Sequence, residues 1–474
     1  MTRQGVPNPD GYVADVPYVP LFVRELAPAW LDFVALVSGI APPNRREEFA
    51  WCDLGCGFGR SAAIFAATHP LGRFHGIDMM SDHIDRARRF ADECGIANVE
   101  YHVADFAAAC EMDLPRFDYI VAHGVYSWVS AESRAALRTF VDRHLRPGGL
   151  VYLSYNALPG RAADLPLQRL VRALGSTIAG DSTSRYRAAA AIVNAMADLN
   201  PPALKAIPFL NRLRKKKETL AEPYLVHELM TEHWEPLCVT EVRAAMAAIG
   251  LAAVGSATLI ENFDSFVLGI AAREVLSTIS DVDVREFARD FLINQFFRRD
   301  VFVRDVKRLD GEKQRERLMA ATYALLRPAA MIEYVTSTPA GRLMFDSDVA
   351  RRIVAVLAAG PSPLTSTVAD TDTEQDVLAS ALALAAAGMI APVEGGHAEV
   401  GNFNQVARLS GSEEVRQVAL PCGTAISLAP ELERLLLEGD TTPPDDDLTA
   451  WRDFFTSHGL DLSRTNPHPK QTSG

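Results

Sequence analysis

Residues 51–60 read WCDLGCGFGR: a short apolar run closes on Asp53, and Gly55, Gly57 and Gly59 follow at every second position. A dinucleotide-binding loop has G-x-G-x-x-G spacing and delivers helix N–H groups to a pyrophosphate. Glycine at every second position instead gives a flat turn, whose missing Cβ atoms let the backbone touch an uncharged ligand edge. Working outward, the segment 50–155 alternates strand and helix. FAWCDLG is a strand and Ser61–Ala67 a helix. RFHGID is a second strand, followed by a helix that Ser81 opens and Gly95 stops. VEYHVAD and FDYIVAHG are strands three and four. Ser130 caps a helix with Leu137, Phe140, Val141 and Leu145 on one face, and LVYLSYN is strand five. Strands separated by helices of this length predict an α/β fold with a parallel, doubly wound, Rossmann-like sheet.

Ligands of such sheets lie at the carboxyl ends of the strands. Asp53 closes the first strand. Asp78, with Met79 beside it, closes the second, where a carboxylate accepts both hydroxyls of a ribose. Asp105 closes the third, placed to meet an adenine amino group, with Phe106 next to it. A nucleoside without phosphates that carries an amino-acid tail fits this ordered set, so S-adenosylmethionine is the expected cofactor. A plain Rossmann-like nucleotide binder is the bland alternative.

The remaining chain divides by pattern. The sheet domain is expected over 1–160 and 220–272, interrupted by a helical insertion at 161–219. Such an excursion is expected to lack a core of its own and to cover a surface, which makes it the expected contact of a two-fold dimer. Residues 280–330 read as wholly helical, within a helical middle domain at 273–330; Phe287, Phe291, Phe296, Phe297 and Phe302 form an aromatic band read as core. In 331–435, two helices (DVARRIVAVLAAG and EQDVLASALALAAAG) and a hairpin turning on Gly395–Gly396 suggest a winged-helix-like domain. A tail, partly disordered, is expected over 436–474, its last residues polar from about 461.

Charge and composition narrow the function. A formal net charge of -13 argues against a nucleic-acid coat. Residues 353–407 hold no Lys or Arg and six acids, so the winged-helix-like part would repel phosphates and suits protein contact instead. The six cysteines show no paired metal-ligand spacing, so neither a zinc site nor a disulfide framework is expected. Residues 1–12 lack signal-peptide features, and no stretch approaches the roughly 18 apolar residues of a membrane span. A soluble cytoplasmic protein with no membrane and no nucleic-acid partner is the expectation. The basic run Arg212, Arg214, Lys215, Lys216, Lys217 reads as a solvated helix end or a contact for an acidic substrate protein.

Three stretches, HGVYSWVS (123–130), SYNALPG (154–160) and YLVHELM (224–230), closely resemble the rickettsial-type protein-lysine methyltransferases, which are class I methyltransferases with a methyltransferase regulatory domain. The likeness is ordered from about residue 17 to 310, and REFARDFLINQFFRRDVFVR (285–304) resembles the start of the regulatory part. The resemblance implies a catalytic core, an inserted dimerisation domain, a middle domain and a C-terminal domain, together with methyl transfer to protein lysine. A small-molecule acceptor, or a cofactor-binding regulator, is the alternative.

Methyl transfer from a sulfonium is an in-line displacement, so the enzyme chiefly aligns an acceptor lone pair and excludes water. His123 stands at the end of strand four beside the expected sulfonium, and with Tyr126 and Trp128 it is expected to line the acceptor pocket. Tyr155 and Asn156, ending strand five, are expected to hydrogen-bond the acceptor. Tyr224, His227 and Glu228 are expected to return and roof the site, with His227 a candidate base, or else to form a surface His–Glu pair. Tyr126, Tyr155 and His227 are the catalytic candidates.

Overall fold

The computed structural model describes residues 11–45, 47–215, 220–394, 400–404, 416–428 and 446–460. Seven strands make its main sheet: β1 Phe49–Leu54, β2 Gly72–Asp78, β3 Val99–Val103, β4 Phe117–Ala122, β5 Leu145–Asn156, β6 Leu251–Ser256 and β7 Phe297–Arg304. Their order is β3-β2-β1-β4-β5-β7-β6. The first five strands run parallel, and β7 lies antiparallel between β5 and β6. Every residue of β1 is buried, as a central strand covered on both faces requires. Its side chains alternate: Trp51 joins Phe65, Phe74, Tyr119 and Tyr152 on one face, and Cys52 and Leu54 join Phe117, Phe140 and Leu153 on the other. The helix Ser81–Cys94 stops at Gly95, whose φ of 70° is left-handed, and Ser130 Oγ accepts from Ser133 N to start the helix Ala131–His144.

Residues 280–330 are not wholly helical. The helix Val282–Ile293 ends at Asn294 (φ 50°), and FRRDVFVR then forms β7. Val301, Phe302 and Val303 are buried on the two faces of the sheet, so β-branched and aromatic side chains here serve a strand. A further strand, Thr322–Leu325, follows the helix Gly311–Ala320. The aromatic band also divides. Phe302 is core, but Phe291 and Phe296 are 60% and 57% exposed, because Phe291 lies on the outer side of its helix and Phe296 sits in the link before β7.

A buried charge network ties β7 down. Arg298 reaches Asp290 at 2.5 Å, Glu286 at 2.7 Å and Asp300 at 3.0 Å. The Tyr155 hydroxyl donates to Asp300 Oδ2 at 2.6 Å. Removing Arg298 would leave several carboxylates buried without their counter-charge, the costly way to break such a cluster.

The insertion does have a core. Leu167, Val171, Tyr186, Val193, Phe209 and Leu210 pack with Val226, Leu229 and, from the N-terminal segment, Val13 and Val16. The short helices close on one another and on the returning helix Glu222–Met230, so the expectation of a coreless excursion is corrected. One stripe stays open: Ile192, Met196 and Leu199, at the i, i+4, i+7 spacing, project from the helix Ser182–Asp198 and its end.

Toward the C-terminus, the helices Asp348–Ala358 and Glu374–Ala386 pack by a small sheet in which Thr322–Leu325 pairs with Ser362–Pro363 and Ile390–Pro392. The turn expected at Gly395–Gly396 lies outside the described residues, as do Lys216, Lys217 and 461–474. A two-stranded hairpin, Arg416–Leu420 with Thr424–Leu428, and a helix, Asp446–Ser457, complete this part. One continuous apolar cluster runs from Trp51 and Phe65 through Tyr323 to Leu357 and Phe455. No helix among the described residues is long and apolar enough to cross a membrane.

Candidate functional site

Two adjoining cavities open at the carboxyl ends of β1, β2 and β4. The first, about 310 Å³, is lined by Gly55, Gly57, Asp78, Met79, Asp105 and Phe106, and reaches Tyr12 and His227. The second, about 280 Å³, is lined by Asp53, Asn156, Arg161, Tyr224, Glu228 and Phe297 among others. Tyr18, Gly55, Gly57, His123, Gly124 and Trp128 face both, so the cavities meet along that line.

The glycine loop explains its own sequence. Gly55, Gly57 and Gly59 all have positive φ (80°, 53° and 62°). A Cβ on Gly55 would strike Val125 Cγ2 at 2.5 Å and one on Gly59 would collide with the Tyr101 ring, whereas one on Gly57 would meet no protein atom within 4 Å. Gly57 therefore presents bare backbone to the cavity. Gly55 N and Cys56 N both donate to the Ile77 carbonyl, at 2.8 and 3.1 Å, which seats the loop on the end of β2.

Asp78 holds that loop as well as facing the cavity. Its Oδ2 accepts from Gly57 N and its Oδ1 from Met80 N, each at 2.9 Å. A carboxylate has about four lone-pair sites, so two bonds leave capacity for ligand hydroxyls. Asp105 Oδ1 caps the short helix Phe106–Cys110 by accepting from Ala108 N at 2.7 Å. Asp53 is buried, and burial, with the nearby Asp78 charge second, raises its pKa to about 8. Asp78 on the first cavity and Asp53 on the adjoining one set two carboxyl groups across the seam, Asp53 able to ionise when a cationic ligand arrives. The open Gly57 backbone and this carboxylate pair fit a nucleoside with a positively charged tail.

His123 follows β4 and sits on the boundary between the cavities. Its Nδ1 meets the Tyr152 hydroxyl at 2.9 Å, and burial, then Arg299, lowers its pKa to about 3, so the ring stays neutral. The Gly124 N–H donates to Ser154 Oγ at 2.8 Å, which fixes the turn out of β4.

The roof comes from distant segments. His227 and Glu228 are 1% and 2% exposed, which rules out a surface pair. His227 packs against Tyr12 and Tyr18 with centroids 5.2 and 5.0 Å apart, and Tyr18 lies 6.5 Å from Tyr224. His227 Nε2 is 2.9 Å from the Val16 carbonyl and so donates to it, leaving Nδ1 as the acceptor; burial lowers its pKa to about 4. Burial raises Glu228 to about 7, against the opposing pull of Arg161. Three buried polar atoms around the second cavity lack a hydrogen-bond partner: Asn156 Nδ2, Arg161 Nε and Glu228 Oε1.

Two of the three catalytic candidates from sequence are elsewhere. Tyr126 accepts from Arg138 Nη1 at 2.8 Å, and Tyr155 donates to Asp300; both rings are buried on the face of the sheet that carries Phe140 and Leu153, and neither lines a cavity. Strand alternation decides this for Tyr155: its neighbours Ser154 and Asn156 face the site side, and Tyr155 faces away. Sequence reasoning missed Tyr12, Tyr18 and Arg161. Tyr12 and Tyr18 precede the alternating region, and the only available signal was aromatic enrichment in GYVADVPY, which carries no spacing rule.

Comparisons agree with this geometry. Residues 52–149 match the family described as a methyltransferase domain, and residues 221–304 match the predicted methyltransferase regulatory domain. The stretch 285–304 thus closes the regulatory match instead of opening it. An uncharacterized protein of Synechocystis sp. is 34% identical over 366 residues, covering 77% of this chain and 72% of that protein. An uncharacterized protein of Rickettsia prowazekii is 28% identical over 221 residues, covering 46% of this chain and 86% of that protein. Among solved structures, PKMT2 from Rickettsia typhi in complex with AdoHcy shares the fold: TM-score 0.67, 20% identity, 92% of this chain and 91% of that one.

Proposed function

This chain belongs to the class I S-adenosylmethionine-dependent methyltransferases with a methyltransferase regulatory domain, and we propose that its methyl acceptor is the side-chain amine of a protein lysine. The observation that carries the reading is Glu228: a buried carboxylate whose Oε1 makes no hydrogen bond and has Arg161 Nη1 only at 3.9 Å, in a cavity edged by Tyr18, Tyr224 and Trp128. The fold likeness to rickettsial PKMT2 supports it.

Bound cofactor supplies a methyl group already activated on a sulfonium. Gly55 and Gly57 would lie against it, Asp78 with Met79 would hold its ribose, and Asp105 with Phe106 its adenine. Asp53 would pair with the ammonium of its amino-acid tail, while Asn156 and Arg161 offer donors for a carboxylate. On the acceptor side, a lysine near pKa 10.4 must lose a proton before attack, a cost of about 4–5 kcal/mol at pH 7. An apolar, aromatic-lined cavity disfavours the ammonium and lowers that cost. Glu228 first attracts the ammonium and then, with its own pKa near 7, accepts the proton. The neutral amine would then be held in line with the methyl group, where the faces of Tyr18 and Tyr224 suit positive charge at the reacting centre. His227, neutral and bonded to Val16, holds Tyr12 and Tyr18 in place.

Incubating the purified protein with S-adenosylmethionine and lysine-bearing proteins, followed by mass spectrometry, should place the added methyl on a lysine Nζ. Methylation only of small carboxylic acids or alcohols would overturn the lysine reading in favour of a small-molecule acceptor.

The open stripe Ile192, Met196 and Leu199 supports a homodimer through the insertion. Charges placed there (Met196→Glu with Leu199→Glu) should convert dimers to monomers in light scattering; a variant that stays dimeric moves the interface elsewhere.

A further inference from the structure

The strands β2 and β3 bring together three metal-competent side chains that the methyl-transfer site does not use. His75 and Glu100 are register partners, and His102 lies two residues further along β3, so all three project from one face. His75 Nδ1 and His102 Nε2 are 3.2 Å apart, and the rings meet edge to edge, with centroids 5.5 Å apart and 9° between planes. Glu100 Oε2 lies 3.9 Å from His102 Nε2. One donor atom from each residue lies within 4.8 Å of the other two.

We propose that His75, Glu100 and His102 bind one divalent transition-metal cation of the zinc class, stapling β2 to the edge strand β3. Zinc–nitrogen bonds of about 2.0–2.1 Å at a tetrahedral angle place two ligand nitrogens about 3.3 Å apart, close to the separation seen here. The two rings have to tilt off their shared line to aim both lone pairs at one ion, and the carboxylate, 71% exposed, has the room to close in. Two imidazoles and one carboxylate are a donor set suited to zinc, with a fourth position left to water.

The surroundings favour a cation in place of the proton that two facing ring nitrogens would otherwise share. His75 is buried against Phe117, ring centroids 5.4 Å apart. The neighbouring cations are occupied: Arg73 pairs with Glu48 at 2.7 Å, and Arg88 donates to the Tyr101 carbonyl. His75 and His102 each stand three residues before a cofactor-edge carboxylate, Asp78 and Asp105, so occupancy would steady the two strand ends that carry them.

Titrating the chelator-treated full-length protein with Co²⁺ tests this. One equivalent should bind, develop the visible absorption of a low-coordinate nitrogen–oxygen site, and be displaced by Zn²⁺. His102→Ala should abolish that spectrum, and Glu100→Gln, an exposed and shape-conserving change, should weaken binding by at least the roughly 10–100-fold that loss of an outer-shell partner costs. Circular dichroism confirms that each variant is folded. Substoichiometric binding by the unaltered protein, or undiminished binding by folded Glu100→Gln and His102→Ala, would overturn the site.

Discussion

The proposed cofactor edge and the proposed acceptor roof meet at Tyr18, His123, Gly124 and Trp128, yet they are assembled by different rules. The edge comes from successive strand ends: Asp53 next to last in β1, Asp78 last in β2, Asp105 two residues past β3, all within 53 residues of chain. Hydrogen bonds among neighbours fix it, Asp78 to Gly57 N and Met80 N, and Asp105 to Ala108 N. The roof draws Tyr12 and Tyr18 from before the sheet, Tyr224 and Glu228 from the way out of the insertion, and Phe297 from the start of β7. It is held by ring packing and by burial. A local edge should therefore fail in binding, and an assembled roof in turnover.

The largest effect should come from the roof. Glu228→Gln keeps the shape but removes proton acceptance, so kcat/KM on a lysine acceptor should fall by about 10²–10³-fold, with calorimetric affinity for S-adenosylmethionine unchanged. For the wild type, turnover should rise from about pH 7 to 9 as Glu228 and then lysine lose protons, and the lower inflection should vanish in Glu228→Gln. Loss of cofactor affinity in this variant would merge the two halves and move Glu228 to the cofactor.

Asp78→Ala should do the opposite. It removes charge-assisted bonds from two loop amides and from the ribose, so S-adenosylmethionine binding should weaken by about 2–3 kcal/mol. Turnover at saturating cofactor should recover most of its value. Unchanged affinity would take the ribose away from β2.

Tyr155→Phe separates both halves from the scaffold. Its hydroxyl serves Asp300 inside the Arg298 network, so the variant should lose about 1–3 kcal/mol of stability in denaturant melts, with turnover and cofactor affinity both retained. A large loss of turnover in a stable variant would restore Tyr155 to the chemistry.

The smallest signal is a proton count. Asp53, with a pKa raised to about 8, is mostly protonated at pH 7 in the free protein and should ionise against a cationic tail. Cofactor binding at pH 7 should then release close to one proton, read by calorimetry in buffers of different ionisation enthalpy. The release should shrink as pH rises above 8, where Asp53 is already charged, and disappear in Asp53→Asn.

How much was legible follows from these particulars. The β1 to β5 alternation, the glycine loop, Asp53, Asp78 and Asp105 could be read because each depends on residues close in sequence: strand period, turn stereochemistry and the strand-end rule. The middle region was misread because Phe287 and Phe291 keep helical spacing and the pattern runs on into Phe296 and Phe297 without a glycine or proline to interrupt it. Only pairing with β5 and β6 makes Phe297–Arg304 a strand. Tyr126 and Tyr155 had the right residue type beside the right strand ends, but which face each ring enters is settled by packing. Sequence by itself determined the parallel sheet and the glycine turn, because those are local stereochemistry repeated along the chain, and the likeness of three short motifs carried the methyltransferase family. The tertiary structure alone decided that Glu228 is buried beside Arg161 with an oxygen that makes no hydrogen bond, that Tyr12 and Tyr18 reach the cleft, and that His75 meets His102 across two strands, because burial and through-space proximity exist only once distant segments have packed.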